Sequence, residues 1–192
     1  MGVAQPLTGL AQVTSANLQQ APNYNFVTNQ PGAVADTSMC GSGMLSIGNC
    51  EALHGTWVTG VIDAATNSGS ALAGIAPGAN MLEEVVGTNG SVDVGSAVSA
   101  IYYALDHGAK ILNLSWGGTG NYTGVSALEA AIQQANTDGA LVVAAAGNAN
   151  QNNNPTSSDP ASNDNPDTIY PASLAEPNII SVGGPVQAVC VQ

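Results

Sequence analysis

The chain has 192 residues, which is long enough for one domain with a real core, and 44% of them are hydrophobic while only 7% are charged. The chain has thirteen acidic residues and only one lysine or arginine, Lys110, so its formal net charge is −12. This composition excludes a charge-rich disordered tail and a coiled coil, and a surface with one cation cannot neutralise phosphates. We therefore expect neither a nucleic-acid partner nor a membrane partner.

The predicted cellular location rests on what the sequence lacks. No run of consecutive apolar residues is as long as a membrane-spanning helix requires. Residues 1–20 have no basic region and no compact apolar segment of the kind found in signal peptides. The chain is then either cytosolic or a piece of a longer secreted precursor. Its acidic, Asn- and Ser-rich composition favours the second, so we expect an extracellular location.

The cysteines give a second indication of an oxidising environment. Cys40 and Cys50 bracket a loop rich in Gly and Ser, and a local disulfide between them is plausible, with two free thiols as the alternative. Cys190 is left over. A zinc site is disfavoured because only His54 and His107 could complete a ligand set.

Strands and helices alternate along the predicted chain. Residues 1–50 are polar and loop-rich, and the pattern becomes regular from residue 51 onward. In chain order we predict a strand at 24–27, a helix at 56–65, a strand at 80–86, a helix at 92–107, a strand at 110–115, a helix at 125–138, and strands at 140–146 and 178–182.

Two details of this pattern carry structural predictions. Ser126 followed by Glu129 has the spacing of a capping box at the start of the third helix. The run 140–146 is continuously apolar, as expected for a strand buried on both faces. Strands joined by helices predict an α/β fold, with a mostly parallel sheet flanked by helices.

Two kinds of site compete on such a sheet. A nucleotide-binding loop would need Gly-x-Gly-x-x-Gly after a strand, but the glycines in 114–120 have the wrong spacing and no basic residue accompanies them. A hydrolytic site needs a base and an oxyanion donor near strand ends. His54 begins a helix, and Asn148 follows the apolar strand, where sites in parallel sheets lie.

Five segments together resemble the subtilisin-like serine peptidases, the subtilases, in family order and with family-like gaps over roughly residues 20–184. They are His-Gly-Thr-Trp-Val-Thr-Gly at 54–60, Gly-Ile-Ala-Pro-Gly-Ala at 74–79, Asn-Leu-Ser-Trp-Gly-Gly at 113–118, Ala-Ala-Ala-Gly-Asn at 144–148, and Tyr-Pro-Ala-Ser at 170–173 followed by Asn-Ile-Ile-Ser-Val-Gly at 178–183.

The resemblance implies a three-layer subtilisin-like fold, incomplete at both ends. It also implies that residues 1–192 form a partial peptidase domain, with a loop-rich part at 1–50, core motifs at 51–184 and a divergent tail at 185–192. By the same resemblance, His54 would be the general base and Asn148 the oxyanion donor. Ser115, Trp116 and Gly117 would pair with an extended peptide or protein substrate, while Ala145, Ala146 and Gly147 would line the primary specificity pocket.

The departures from the family concern the other catalytic groups. No Gly-Thr-Ser motif of the family nucleophile occurs in the chain. Asp36, in Asp-Thr-Ser, is the only candidate for the triad acid, and the alternative is that this acid lies before Met1. We therefore predict a serine endopeptidase by family whose isolated chain has little or no activity, with the serine supplied by a missing C-terminal part. The alternative is a non-catalytic subtilisin-like domain that binds extended peptides.

The family resemblance also raises structural calcium. The polar segment 148–167 contains Asp159, Asp164 and Asp167, and Ca²⁺ binds where several oxygen ligands converge. A solvated polar loop is the alternative explanation for the same residues.

Overall fold

The computed structural model describes residues 22–34, 53–66, 73–88, 90–119, 124–148 and 168–184. The chain divides into two compact units, Met1–Ala100 and Ile101–Gln192, and each is described by itself. The described helices are α1 (His54–Asp63), α2 (Val94–Asp106) and α3 (Val125–Thr137). The described strands are β1 (Tyr24–Asn25), β2 (Gln30–Pro31), β3 (Glu84–Val85), β4 (Gly87–Thr88), β5 (Ser91–Val92), β6 (Ile111–Leu114), β7 (Gly118–Thr119), β8 (Leu141–Ala145), β9 (Ile169–Tyr170) and β10 (Ile179–Val182).

The first unit contains a small mixed sheet in the order β2-β1-β3. β1 pairs antiparallel with β2 and parallel with β3. β4 and β5 form a short antiparallel hairpin that leads into α2. The carboxylate of Asp93 caps that helix, because its Oδ2 accepts a hydrogen bond of 2.7 Å from the Ser96 amide. This bond lowers the pKa of Asp93.

The second unit is built on a parallel sheet in the order β10-β8-β6. β8 is its central strand and pairs in parallel with both neighbours. The helix α3 connects towards β8 and packs against it. β7 and β9 form a separate antiparallel pair beyond the end of β6. The predicted α/β fold with a mostly parallel sheet is therefore confirmed.

The core of the second unit follows from the alternation of side chains along the strands. One face of the sheet is buried, and α3 buries its own apolar stripe, as the 3.6-residue period requires. The buried residues of the sheet face are Leu112, Leu114, Val142 and Ala144, and those of the helix are Val125, Leu128, Ala131, Ile132 and Ala135.

Two predicted strands lose half or more of their expected length in the structure. The strand expected at 24–27 ends at Asn25, because the Asn25 side chain accepts hydrogen bonds from the Val27 and Thr28 amides and closes a turn. The strand expected at 80–86 is reduced to β3. Before it, the Glu83 amide donates to the side chain of Asn23 rather than to a strand.

The capping box predicted at Ser126 and Glu129 is wrong. Helix α3 begins at Val125, and its N-cap is Gly124, two residues before Ser126; Gly124 has a φ of 107° and makes no side-chain cap bond. Glycine adopts this left-handed conformation without steric cost, and its carbonyl accepts the Leu128 amide at 3.0 Å. Ser126 lies inside the helix and is exposed.

Candidate active site

His54 is the first residue of α1 and is half-buried. One side of α1 is buried and carries the polar side chains of Thr56, Thr59 and Asp63. Among the residues that the structure describes, none forms a hydrogen bond with the His54 imidazole. The helix therefore fixes the backbone of His54, and the candidate acid that would orient its ring, Asp36, lies outside the described residues.

The second motif of the resemblance braces the end of the same helix. The amides of Gly74, Ile75 and Ala76 donate to the carbonyls of Ala64, Val61 and Ile62 at 2.8, 3.0 and 2.8 Å. These bonds satisfy carbonyls that a helix leaves unpaired at its C-terminus. A Cβ on Gly74 would lie 2.5 Å from the Ala64 nitrogen, so only glycine allows this close approach. The turn at 74–79 thus supports the helix that begins with His54.

A group of carboxyl side chains lies near this brace and was not predicted. Asp63 is fully buried, and its Oδ1 accepts the Gly78 amide at 2.6 Å. The Thr59 hydroxyl donates to Glu83 at 2.7 Å. Burial raises the pKa of Glu83, and the Thr59 bond opposes that rise. Burial also raises the pKa of Glu84 to about 8, and the charge of Glu83 adds to the shift.

A sequence signal for this group was available. Glu83 and Glu84 are adjacent acids inside a predicted strand, so alternation forces at least one of them towards the interior. The structure brings Glu83 close enough to Asp63 for these two carboxyl groups to interact electrostatically, which adds to the rise in the pKa of Glu83.

In the second unit, two of the predicted substrate-binding segments lie side by side. Leu114 at the end of β6 is paired with Ala144 of β8, so both chains leave the sheet at the same edge. The segment 115–117 follows β6, and the segment 145–147 completes β8 and leaves it. The carboxyl ends of parallel strands are where open α/β sheets place their ligands.

Gly117 shows how tightly the first of these segments is held. A Cβ at this position would lie 2.6 Å from Cγ2 of Ile169, 3.0 Å from the Tyr170 carbonyl and 3.9 Å from the Ala145 carbonyl. The next two residues, β7, are paired with Ile169 and Tyr170. Gly117 therefore lies between β9 and the end of β8, and a side chain there would displace the segment.

Asn148 follows a sharp change of chain direction. The Ala146 amide donates to the Val182 carbonyl of β10 at 2.9 Å, one residue before this change of direction. Gly147 has a φ of 100°, a conformation that favours glycine, and Asn148 is exposed. An exposed side-chain amide beyond a fixed strand end can donate a hydrogen bond to a ligand.

Several predicted site residues lie outside the described residues: Asp36, Cys40, Cys50, Asp159, Asp164 and Asp167. His54 belongs to the first compact unit and Asn148 to the second. Within the described ranges, no three His, Cys, Asp or Glu side chains form a group that could hold a metal ion. In the same part of the chain, no helix is long and apolar enough to cross a membrane.

Comparison with known proteins agrees with the motifs. Thermitase of Thermoactinomyces vulgaris is 43% identical over 97 residues, which cover 50% of this chain and 34% of thermitase. A thermophilic serine proteinase of Bacillus sp. (strain AK1) is 41% identical over 113 residues, covering 58% of this chain and 27% of that protein. The chain thus spans about a third of the length of these relatives.

The fold has solved counterparts. The epidermin leader peptide processing serine protease EpiP of Staphylococcus aureus superimposes with a TM-score of 0.61 over 88% of this chain and 42% of that chain, at 20% identity, which shows a common fold. A model of the subtilase family, peptidase S8, matches residues 15–188. The chain therefore belongs to the subtilase family.

Proposed function

We propose that this chain supplies the base, the oxyanion donor and the peptide-binding strand of a subtilisin-type serine endopeptidase. The observation that carries the proposal is the placement of 115–117 beside 145–147 at one edge of the parallel sheet. The backbone of 115–117 would pair with an extended peptide as a further strand does. The small side chains of Ala145 and Ala146 would leave room for a large apolar substrate side chain.

The reaction that this arrangement would serve is acyl transfer. A serine attacks the scissile carbonyl, His54 accepts the serine proton and then returns it to the leaving amine, and water releases the acyl group. Asn148 would donate its side-chain N–H to the oxygen that becomes negative in the tetrahedral intermediate. Asp36 is the candidate for the carboxylate that orients His54 and stabilises its protonated form.

The nucleophile is the part that this sequence does not contain in its family form, because no Gly-Thr-Ser motif occurs in it. We accordingly propose a partial peptidase domain, which hydrolyses little or no peptide alone and gains activity when the serine is supplied. We further propose an extracellular location, a Cys40–Cys50 disulfide, and calcium held through Asp159, Asp164 and Asp167 for structural support. No catalytic step depends on that ion.

The test of the proposed site is the binding of an extended peptide. A fluorescent Ala-Ala-Ala-Ala-Phe amide offers a strand with small side chains and one large apolar residue, and its binding is followed by fluorescence anisotropy. We expect Gly117→Ala to weaken binding at least tenfold, because the new Cβ forces the segment away from Ile169. Gly183→Ala is the matched control, since its Cβ would meet open space.

Equal binding by the Gly117→Ala and wild-type chains, with both folded by circular dichroism, would contradict the assignment of 115–117. A wild-type chain that binds no peptide would contradict it too.

A second function, a non-catalytic domain that binds extended peptides, is favoured by one observation, the absence of the Gly-Thr-Ser motif. The two functions differ in what His54→Ala does once a serine-bearing segment is added. A peptidase loses turnover, whereas a binding domain shows no turnover to lose and keeps its peptide affinity.

A further inference from the structure

The helix α1, which begins with His54, is held on its buried face by hydrogen bonds to two carboxyl side chains. The Thr59 hydroxyl donates to Oε1 of Glu83 at 2.7 Å. One turn further along the helix, Oδ1 of Asp63 accepts the Gly78 amide. Thr59 and Asp63 are both buried, so these two bonds fix the buried face of α1 within the first unit.

The backbone of Glu83 is held separately by the neighbouring sheet. Its amide donates to Oδ1 of Asn23 at 2.8 Å, and its carbonyl accepts the Tyr24 amide at 3.1 Å. Tyr24 belongs to β1, so Glu83 is anchored to the β2-β1-β3 sheet. The side chain of Glu83 therefore links that sheet to the helix that carries His54.

The surroundings of this carboxyl are unfavourable to a negative charge. Glu83 is half-buried, Glu84 follows it directly, and Asp63 lies close enough for the two charges to interact. The one lysine or arginine of the chain, Lys110, donates to a backbone carbonyl of the second unit, so no such side chain pairs with these acids. A proton on Glu83 lowers the charge that is buried at this point.

The pKa of Glu83 is raised accordingly. Burial is the largest cause, and the charge of Asp63 adds to it. The Thr59 bond and the positive charge of the N-terminal amine lower the pKa, but burial outweighs them. The folded chain thus keeps this proton to a higher pH than the ordinary pKa of 4.5 allows. The carboxylate that forms at still higher pH favours water over its place beside Thr59.

We propose that Glu83 is a positioning residue for His54. As a neutral acid it holds α1 through Thr59, and when it loses its proton at alkaline pH it moves towards water and releases that part of the helix. The position of α1 is therefore kept on the acid and neutral side and lost as pH rises. Its meaning for catalysis rests on the proposed role of His54 as the base, whereas the position of the helix does not.

The test follows α1 through Trp57, which lies three residues after His54. The full chain has two tryptophans, so a Trp116→Phe parent chain leaves the emission of Trp57 as the only tryptophan signal between pH 5 and pH 9.5. Infrared spectra of the same samples follow the band of the protonated Glu83 carboxyl, assigned by its loss in Glu83→Gln. We expect this band at pH 6, and we expect it to disappear at alkaline pH together with a red shift of the Trp57 emission.

The variants separate the proton from the hydrogen bond. Glu83→Gln should remove the alkaline shift, because its amide oxygen still accepts from Thr59 and cannot ionise. Asp106→Asn, which removes an exposed carboxyl at the end of α2, is the matched control and should keep the shift. Thr59→Val lacks the hydroxyl and should shift the Trp57 emission already at pH 6, while Thr59→Ser should keep the emission of the parent chain.

An alkaline shift that is lost with Glu83→Gln and kept with Asp106→Asn supports the positioning role. The proposal is overturned if the Glu83 band is absent at pH 6, if the parent chain shows no shift up to pH 9.5, or if Glu83→Gln shifts as far as the parent. If Glu83→Gln does not fold by circular dichroism, a difference between Thr59→Val and Thr59→Ser at pH 6 supports the proposal and equal emission overturns it. No readout depends on peptide hydrolysis, so this proposal and the endopeptidase proposal can fail separately.

Discussion

The buried carboxyl group of Asp63 accepts the amide of Gly78 at 2.6 Å and so joins the end of the His54 helix to the turn that follows it. Its second oxygen, Oδ2, is buried without a hydrogen-bond partner in the described part of the chain. One residue thus both anchors the turn and leaves a buried acceptor unsatisfied, which is a costly arrangement. The position is therefore sensitive to the chemistry of the side chain.

Replacing Asp63 separates these two effects. Asp63→Ala removes the acceptor of the Gly78 amide and should lower the free energy of unfolding by about 1–3 kcal/mol. Asp63→Asn keeps an oxygen acceptor of the same shape and should cost clearly less. Urea unfolding followed by circular dichroism measures both variants. Equal losses for Ala and Asn would show that the hydrogen bond to Gly78 does not stabilise the turn.

The raised pKa of Glu84 predicts a stability that falls as pH rises. In the unfolded chain this carboxyl loses its proton near its ordinary pKa of 4.5, whereas in the folded chain it does so at about 8. Between these values the unfolded state binds fewer protons, so the free energy of unfolding decreases with pH. The stabilisation is complete below pH 4.5 and is lost as pH passes through 8.

Urea midpoints at pH 5 and pH 8.5 test this dependence. We expect the wild-type chain to lose about 2 kcal/mol of unfolding free energy over that range, after allowance for partial exposure of the side chain. Glu84→Gln cannot ionise and should make the profile shallower, while the raised pKa of Glu83 keeps part of the slope. Asp106→Asn, which removes an exposed carboxyl at the end of α2, is the control. A Glu84→Gln profile as steep as that of the wild type would rule out this carboxyl as the source.

In the second unit, the Asn178 side chain forms hydrogen bonds both to α3 and to the residue that precedes β8. Its buried Nδ2 donates to the Ile132 carbonyl at 3.2 Å and to the Ala140 carbonyl at 3.1 Å. Asn178→Asp replaces the donor with an oxygen that faces two carbonyls, and we expect a loss of about 3 kcal/mol. Asn178→Ala should cost less, because it introduces no repulsion. Thermal unfolding that ranks Asp as no worse than Ala would contradict the assigned bonds.

The sequence pattern predicted those elements whose burial is periodic. All three described helices and the strands β6, β8 and β10 were expected within about two residues, because their apolar residues recur with helical or strand spacing. The short pairs β4–β5 and β7–β9 were not expected, since two-residue strands carry no periodic signal. Gly124 was missed as the cap of α3, because a left-handed glycine leaves no side-chain signature.

The site was predictable for a different reason. His54, Asn148 and the segments 115–117 and 145–147 were found through five motifs rather than through any spacing rule, and those two segments are neighbours in the structure. Long-range polar contacts escaped prediction. Asn178 bonds to carbonyls far away along the chain, and Glu83 receives the Thr59 hydroxyl from another element. Such pairings are set by tertiary packing.

The most direct test of the central claim is labelling of the purified chain with a fluorophosphonate probe, read by intact mass. A chain that holds the base and the oxyanion donor without the family nucleophile should be folded by circular dichroism and show no adduct. His54→Ala is compared with His107→Ala, which replaces the exposed histidine that bonds the Tyr103 carbonyl in α2. An adduct that forms on the wild-type and His107→Ala chains and disappears with His54→Ala would contradict the claim, because it would mean that a serine of this chain completes the site.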